Sequence, residues 1–251
     1  MRSILVYFSV KYNGNWKDIY QAITSKEQID FNEKNIVYQK YKDQVLTIID
    51  SEYPEKLKNV YCPPFVLFYK GDISLLKETI VSIVGSRDAT SYGVYATKKI
   101  VKDLTKFQIV TCSGLAKGID STVHDESLKN QIRTIAVLPC GIDKCYPKEN
   151  FSLYQRIEKE GLIISEYPNQ VTPFKDQIPF RNRIVASLAD HLIVTEAHFH
   201  SGTMITVRYA LEMGKDIYAV PYPINEDSFC NKLISDGAYL ICDGKDIFRK
   251  N

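Results

Sequence analysis

Residues 80–93 read IVSIVGSRDATSYG, and this stretch decides the fold. Ile80 to Val84 is a continuous apolar run of strand length. Gly85 permits a tight turn, Ser86 and Arg87 offer polar donors, and a helix starting near Tyr92 aims its N-terminus at the same space. Strand, glycine turn and helix start together suit an anion, because the first backbone N–H groups of a helix lack intrahelical partners and carry partial positive charge.

Outward from this unit the same rhythm repeats. Strand-like runs follow at Ile109 to Cys112, Thr134 to Leu138, Leu162 to Ser165, His191 to Thr195, Asp216 to Val220 and Tyr239 to Ile241. The segments between them show helical periodicity, as in Val94, Thr97, Val101, Leu104 and Phe107, or in Met204, Val207, Ala210 and Leu211 closed by Gly214 as a C-terminal cap. Strands alternating with helices imply a parallel sheet, and strands that are apolar throughout imply helices on both faces. The expected architecture is α/β, an extended Rossmann-like, doubly wound, mostly parallel sheet over residues 44–251. No unit repeats with shared residue identities, which disfavours a solenoid.

Residues 1–43 read differently. Trp16 to Thr24 is an amphipathic helix, and Ser25 to Lys42 is charged and rich in Gln, Asn and Lys. This predicts a small, partly helical N-terminal region. The β-rich runs Val45 to Ile49 and Phe65 to Tyr69, separated by breaks at Tyr53-Pro54 and Pro63-Pro64, are expected to form a connecting layer packed on the main domain.

Ligands of such sheets bind outside the carboxyl ends of the strands. After the second strand comes SGLAKGID with Lys117, and after the third PCGIDKCYPKEN with Lys144 and Lys148. The fourth is followed by SEYPNQVTPFKDQIPFRNR with Lys175, Arg181, Asn182 and Arg183, and the fifth by EAHFHSGTMIT, which puts Ser201, Gly202 and Thr203 at a helix start. A mononucleotide needs one or two phosphate loops. Five loops with several cations suit an extended polyanion, and Tyr92, Tyr146 and Phe180 are candidates to stack bases. For Arg181 and Arg183 two roles stay open: ligand contact, or ion-pair partner of Glu166 or Glu196.

Bulk charge gives no support to this reading. The 251 residues hold 32 basic and 30 acidic groups, divided 11 to 10 over residues 1–79 and 21 to 20 over the remainder. Any claim for nucleic acid therefore rests on local clustering. The Ile4 to Val10 run is too short for a signal peptide and no apolar stretch is long enough to span a bilayer, so the cytoplasm is the expected compartment. The six cysteines sit mostly in apolar runs and are expected to be reduced.

Several chemistries lack their residues. GSRDATSYG is not the dinucleotide fingerprint GxGxxG, and Ser113 stands where a ribose-binding acid would follow the second strand. GxxxxGK[ST] is absent, which gives no support to a P-loop ATPase. His198 and His200 with Cys140 and Cys145 lack a metal-ligand spacing. Ser201 or Cys140 with His124 or His198 lacks the GxSxG elbow. Neither a cofactor, a metal nor a catalytic residue is expected. The strongest enzymatic reading is a phosphoribohydrolase-like nucleotide-processing enzyme with Glu196 as general base, against which only SGT remains of a PGGxGT-type loop. A pure interaction scaffold is a weaker option.

The segments IVGSRDATSYG, SGLAKGIDSTVH, LPCGIDKCYPKEN, ISEYP, FRNRIVASLAD, VTEAHFHSGTMIT, DIYAVP and NKLISDGA resemble, in order and spacing, the DNA-processing protein A family (DprA, also called Smf). The resemblance implies an extended Rossmann fold, a homodimer, sequence-independent binding of single-stranded DNA, protection of incoming DNA in natural transformation, and loading of a RecA-type recombinase in recombination, without catalytic turnover. It implies that Arg87 contacts phosphates, that Lys148 and Lys175 line the same pocket, and that Asn182, Ser201, Gly202 and Thr203 fall in matching motifs. Ile178-Pro179 stands where the family usually has Phe-Pro, Pro221-Tyr222 where it has Pro-Gly, and Cys230 where it has Gly before Asn. The N-terminal region is shorter than the family's helical domain and no winged-helix-like extension follows, so reduced accessory contacts are expected.

Overall fold

The computed structural model describes residues 1–169, 171–199, 201–226 and 228–248. Three helices open the chain: α1 (Arg2–Lys11), α2 (Trp16–Thr24) and α3 (Phe31–Tyr41). Then follow β1 (Val45–Thr47), α4 (Glu55–Lys58), β2 (Val66–Gly71), β3 (Ile80–Gly85), α5 (Ser91–Leu104), β4 (Val110–Ser113), α6 (Ile119–Lys129), β5 (Thr134–Leu138), α7 (Phe151–Glu160), β6 (Leu162–Ser165), α8 (Gln177–Leu188), β7 (His191–Glu196), α9 (Gly202–Glu212), β8 (Ile217–Ala219), α10 (Phe229–Ser235) and β9 (Tyr239–Leu240).

The strands form one nine-stranded sheet in the order β1-β2-β6-β5-β4-β3-β7-β8-β9. Strands β3 to β9 pair in parallel wherever they are neighbours. The expected mostly parallel, doubly wound sheet is therefore observed. The residues read as a connecting layer instead extend it: β1 pairs antiparallel with β2, and β2 antiparallel with β6, with Phe68 opposite Ser165. Leu67 and Phe68 are buried on opposite faces, so both sides of that strand gain apolar cover, which a surface layer would leave wet.

Successive strand residues feed two faces. Ile80 and Val84 join one core with Ile184, Val185 and Leu188 of α8 and Val207 and Ala210 of α9. Val81 and Ile83 join another with Ile100, Val101 and Leu104 of α5. Each such aliphatic side chain contributes about 1.5–3 kcal/mol by leaving water. Helix α5 forms where the Thr90 hydroxyl accepts from the Gly93 N–H at 3.0 Å and apolar residues recur at helical spacing to Leu104.

Helix α2 has the bounds expected, with Asn15 as its cap. Helix α1 was legible only as an apolar run, because Leu5, Val6, Tyr7, Phe8 and Ser9 are buried all round rather than along a stripe. Helix α3 buries Tyr41 alone and starts on the Asp30 carboxylate, which accepts from Glu33 N–H at 2.8 Å. Local capping outweighs its weak apolar pattern. Leu5, Val6 and Tyr41 pack with Val66 and Phe68, so these helices share core with the sheet.

Candidate nucleic-acid interface

Strand β4 lies on one side of β3 and β7 on the other. The chain thus reverses its direction of winding at the carboxyl ends of β3 and β7, where open α/β sheets leave a crevice. Here it measures about 300 Å³ and is lined by Gly85, Ser86 and Arg87 after β3, by Gly114, Ala116 and Asp120 around the start of α6, by Arg181 and Asn182 of α8, and by Ser201, Gly202 and Thr203 at the start of α9. A second hollow of about 260 Å³ shares Arg87, Gly114, Ala116 and Arg181 and adds Lys117, Pro139, Tyr146 and Ile178. All five strand-end segments contribute to this pair of hollows.

The turns are locked to each other before any ligand arrives. Gly118, at φ +74°, lets α6 begin against the GSR turn: the Ile119 N–H donates to the Ser86 carbonyl at 3.0 Å, and a side chain at 118 would strike that carbonyl. The first helix start of the sequence is also filled from within. The buried Glu196 carboxylate accepts from the Thr90 N–H at 3.0 and 3.1 Å, and Gly93 leaves the room it needs. The anion at the α5 N-terminus is therefore the protein's own carboxylate, which holds α5 on β7. The Gly85 turn faces the crevice without that helix dipole free.

Two guanidinium groups of the crevice lining, those of Arg87 and Arg181, stay outside any ion pair among the described residues. Arg87 is exposed, and its side chain enters no ion pair among the described residues. Arg181 is buried on the floor, where it donates to the Gly114 carbonyl at 2.6 Å and to the Val137 carbonyl, with Nε to Asn182 Oδ1 at 3.1 Å. Gly114 is required beneath it, since a side chain there would run into the guanidinium. Burial lowers the pKa of Arg181, with Asp120 pulling the other way, and burial raises that of Asp120 against the pull of Arg181. Both groups stay under-compensated because they form no direct ion pair. The Ser201 hydroxyl lies in the same crevice, buried and without a hydrogen-bond partner among the described residues.

Arg183 does not reach this site. Its side chain is 0% exposed and makes a bidentate pair with Glu166 at 2.5 and 2.6 Å. It also donates to the Tyr61 and Cys62 carbonyls at 3.2 and 2.8 Å and lies 3.7 Å over the Phe180 ring. Of the two roles open for it, the geometry is that of ion-pair partner, because α8 turns residue 183 towards the body of the protein. Phe180 is thereby engaged as well. Tyr92 lies outside both hollows, with its hydroxyl on the Pro221 carbonyl at 2.8 Å. Tyr146 is the aromatic left on the rim, and Ile178 forms part of its wall.

The lysines are peripheral. Lys117 borders the second hollow and pairs with Glu149 at 2.9 Å. Lys148 and Lys175 are exposed but line neither hollow. The catalytic pairings do not assemble: His124 is fully buried, its Nδ1 2.7 Å from the Thr134 hydroxyl, and burial, with a contribution from Arg181, depresses its pKa to about 3. His198 Nε2 lies 3.6 Å from Glu196. His200 lies outside the described residues. Among those described, no group of three or more His, Cys, Asp or Glu is placed to hold a metal, and all six cysteines are free, three of them buried. Asp88, Asp120 and Gly114 line the crevice but were not singled out from sequence, although Gly114 and Asp120 stand inside SGLAKGID.

A doubly wound sheet whose switch point holds two arginines outside any direct ion pair among the described residues defines a Rossmann-like protein with a basic crevice at the carboxyl edge of its sheet. The family can be stated more narrowly. The model of the DNA recombination-mediator protein A family matches residues 44–251, and the chain belongs to that family. It is 40% identical over 222 residues to DNA processing protein DprA of Streptococcus pneumoniae, covering 88% of this chain and 78% of that one, and 38% identical over 217 residues to DprA of Bacillus subtilis, covering 84% and 73%. The X-ray structure of the pneumococcal protein superposes with a TM-score of 0.81 at 36% identity, over 92% of this chain and 79% of that one. The DNA processing protein A of Helicobacter pylori, whose structure concerns a single-stranded DNA binding mode, superposes with a TM-score of 0.74 at 32% identity, over 81% and 94%.

Proposed function

We propose that this chain binds single-stranded DNA without sequence preference, in the cytoplasm, protects it, and loads a RecA-type recombinase onto it during transformation and recombination, as a homodimer and without turning the DNA over chemically. The carrying observation is Arg87 beside Arg181 at the switch point, two guanidinium groups that no carboxylate among the described residues neutralises by direct contact. Gly85, Ser86, Asn182, Ser201, Gly202 and Thr203 supply turn backbone and neutral donors around them, and Lys117, Lys148 and Lys175 lie outward to meet phosphates along the strand. Residues 44–251 act as the DNA-binding unit and residues 1–43 as an accessory one. Membership of the family and its DNA-binding Helicobacter relative support the reading.

Phosphate contacts position a strand without reading bases, so Arg87→Ala weakens binding to all sequences alike. Fluorescence anisotropy with single- and double-stranded oligonucleotides at low salt tests this. No preference for single strands, or unchanged affinity in Arg87→Ala, overturns it. The phosphoribohydrolase reading loses support because Glu196 is committed to the start of α5; turnover of a nucleoside monophosphate, abolished in Glu196→Gln, would restore it.

A further inference from the structure

Helix α5 carries a second feature that the crevice does not use. Its buried side is Gly93, Ala96, Thr97, Ile100, Val101 and Leu104. The opposite side presents Tyr92, Tyr95, Lys98, Lys99 and Lys102 to solvent. At 3.6 residues per turn, Tyr92, Tyr95, Lys99 and Lys102 share one stripe, with Lys98 at its border.

The two tyrosines are held differently. Tyr92 is fixed by its hydrogen bond to Pro221 and by Tyr222, whose ring meets it edge-on with centroids 4.8 Å apart. Tyr222 is itself anchored through its hydroxyl to the Thr195 carbonyl at 3.0 Å. Tyr95 is 64% exposed and has no ring partner among the described residues. Both tyrosines border a shallow hollow of about 90 Å³ closed by Val220, Pro221, Ile241 and Cys242. Those four residues directly follow β8 and β9, so the hollow lies on the same carboxyl edge of the sheet as the crevice.

Charge on the stripe is mixed but biased. Asp103 takes Lys99 at 2.7 Å, which leaves that lysine to brace the helix against the Cys242 carbonyl at 3.0 Å. Lys98 and Lys102, one turn apart, enter no ion pair among the described residues. An exposed ring with unpaired cations beside it has the chemistry of a single-strand track, where bases stack on aromatics and ammonium groups meet phosphates.

We propose that the outer face of α5 is a second contact for single-stranded DNA: a base beyond the crevice stacks on Tyr95 over the hollow, and the phosphates that follow meet Lys98 and Lys102. This extension rests on the DNA-binding reading of the crevice. It makes the footprint longer than the crevice alone and gives long strands an advantage over short ones.

Anisotropy titrations with oligothymidylates of about 6 and about 15 nucleotides separate the two ideas. Tyr95→Ala is expected to weaken the long strand at least about fivefold, with Tyr95→Phe restoring it. The double variant Lys98→Ala/Lys102→Ala is expected to lower the slope of log K against log salt by about 1.4 for the long strand. Both leave the short strand unchanged. Long-strand affinity and slope equal to the parent's in both variants overturn the extension while the crevice reading stands. A parent that binds neither length overturns both. Thermal melts equal to the parent's are expected, since all three side chains face solvent.

Discussion

The two arginine sites of helix α8 lie two residues apart and have opposite fates. Arg183 meets Glu166 in a closed, bidentate pair, further satisfied by backbone carbonyls. Arg181 lies under an open crevice, with carbonyls for partners and Asp120 nearby but not in contact. The lesson is one of local accounting. A buried cation matched by the protein's own carboxylate is structure, and one left to carbonyls beside an open crevice is available to an external anion. Burial opposes the Arg183 charge, and Glu166 more than restores it, whereas burial dominates at Arg181.

The largest effect should come from breaking the closed site. Glu166→Ala leaves the Arg183 guanidinium buried and unpaired and is expected to cost about 3–5 kcal/mol of stability in urea denaturation. Arg87→Ala is the converse: stability within about 0.5 kcal/mol of the parent, but a loss of about 1.5–3 kcal/mol in DNA binding, the range for a charge-assisted hydrogen bond. If Arg87→Ala unfolded the protein, or Glu166→Ala lost DNA binding while melting normally, the contrast between the sites would fail.

Within the electrostatic reach of Arg181, the buried His124 titrates in a defined direction. His124 has a folded pKa of about 3 against the ordinary 6.5. Below pH 6.5 the unfolded chain takes up a proton that the native state refuses. This contribution therefore weakens the fold as pH falls from about 6.5 towards 3, by up to about 1.4 kcal/mol per pH unit. Asp120, raised by burial, acts in the opposite sense, so the comparison to make is urea stability of parent and His124→Gln at pH 7 and 5; equal pH dependence would refute the assignment. The smallest effect concerns Lys117. Glu149→Gln removes the exposed carboxylate that competes with phosphate for Lys117, and the salt slope of DNA binding is expected to steepen by up to about 0.7; an unchanged slope would remove Lys117 from the phosphate contacts.

Legibility followed how local the cause was. The parallel strands and α2 could be read almost to the residue, because continuous apolar runs and a capped amphipathic stripe are written in neighbouring positions. Helix α3, with one buried residue, and the antiparallel placement of β1 and β2 could not, because a cap and a distant partner strand decided them. Among site residues, the GSR turn and the SGT segment were legible as loops at strand ends. Asp120 was not, since nothing in SGLAKGID says that α6 would turn its carboxylate towards α8.

The sequence alone determined that a Rossmann-like sheet would carry its chemistry at one edge and that Arg87 would stand in the first turn of that edge. Only the tertiary structure decided which charges were already taken. Glu196 closes the helix start that had looked open, Glu166 withdraws Arg183, and Arg181 is left on the crevice floor. The physical reason is that neutralisation of a buried charge depends on contacts across 17 or more residues of chain, which spacing along a sequence does not encode.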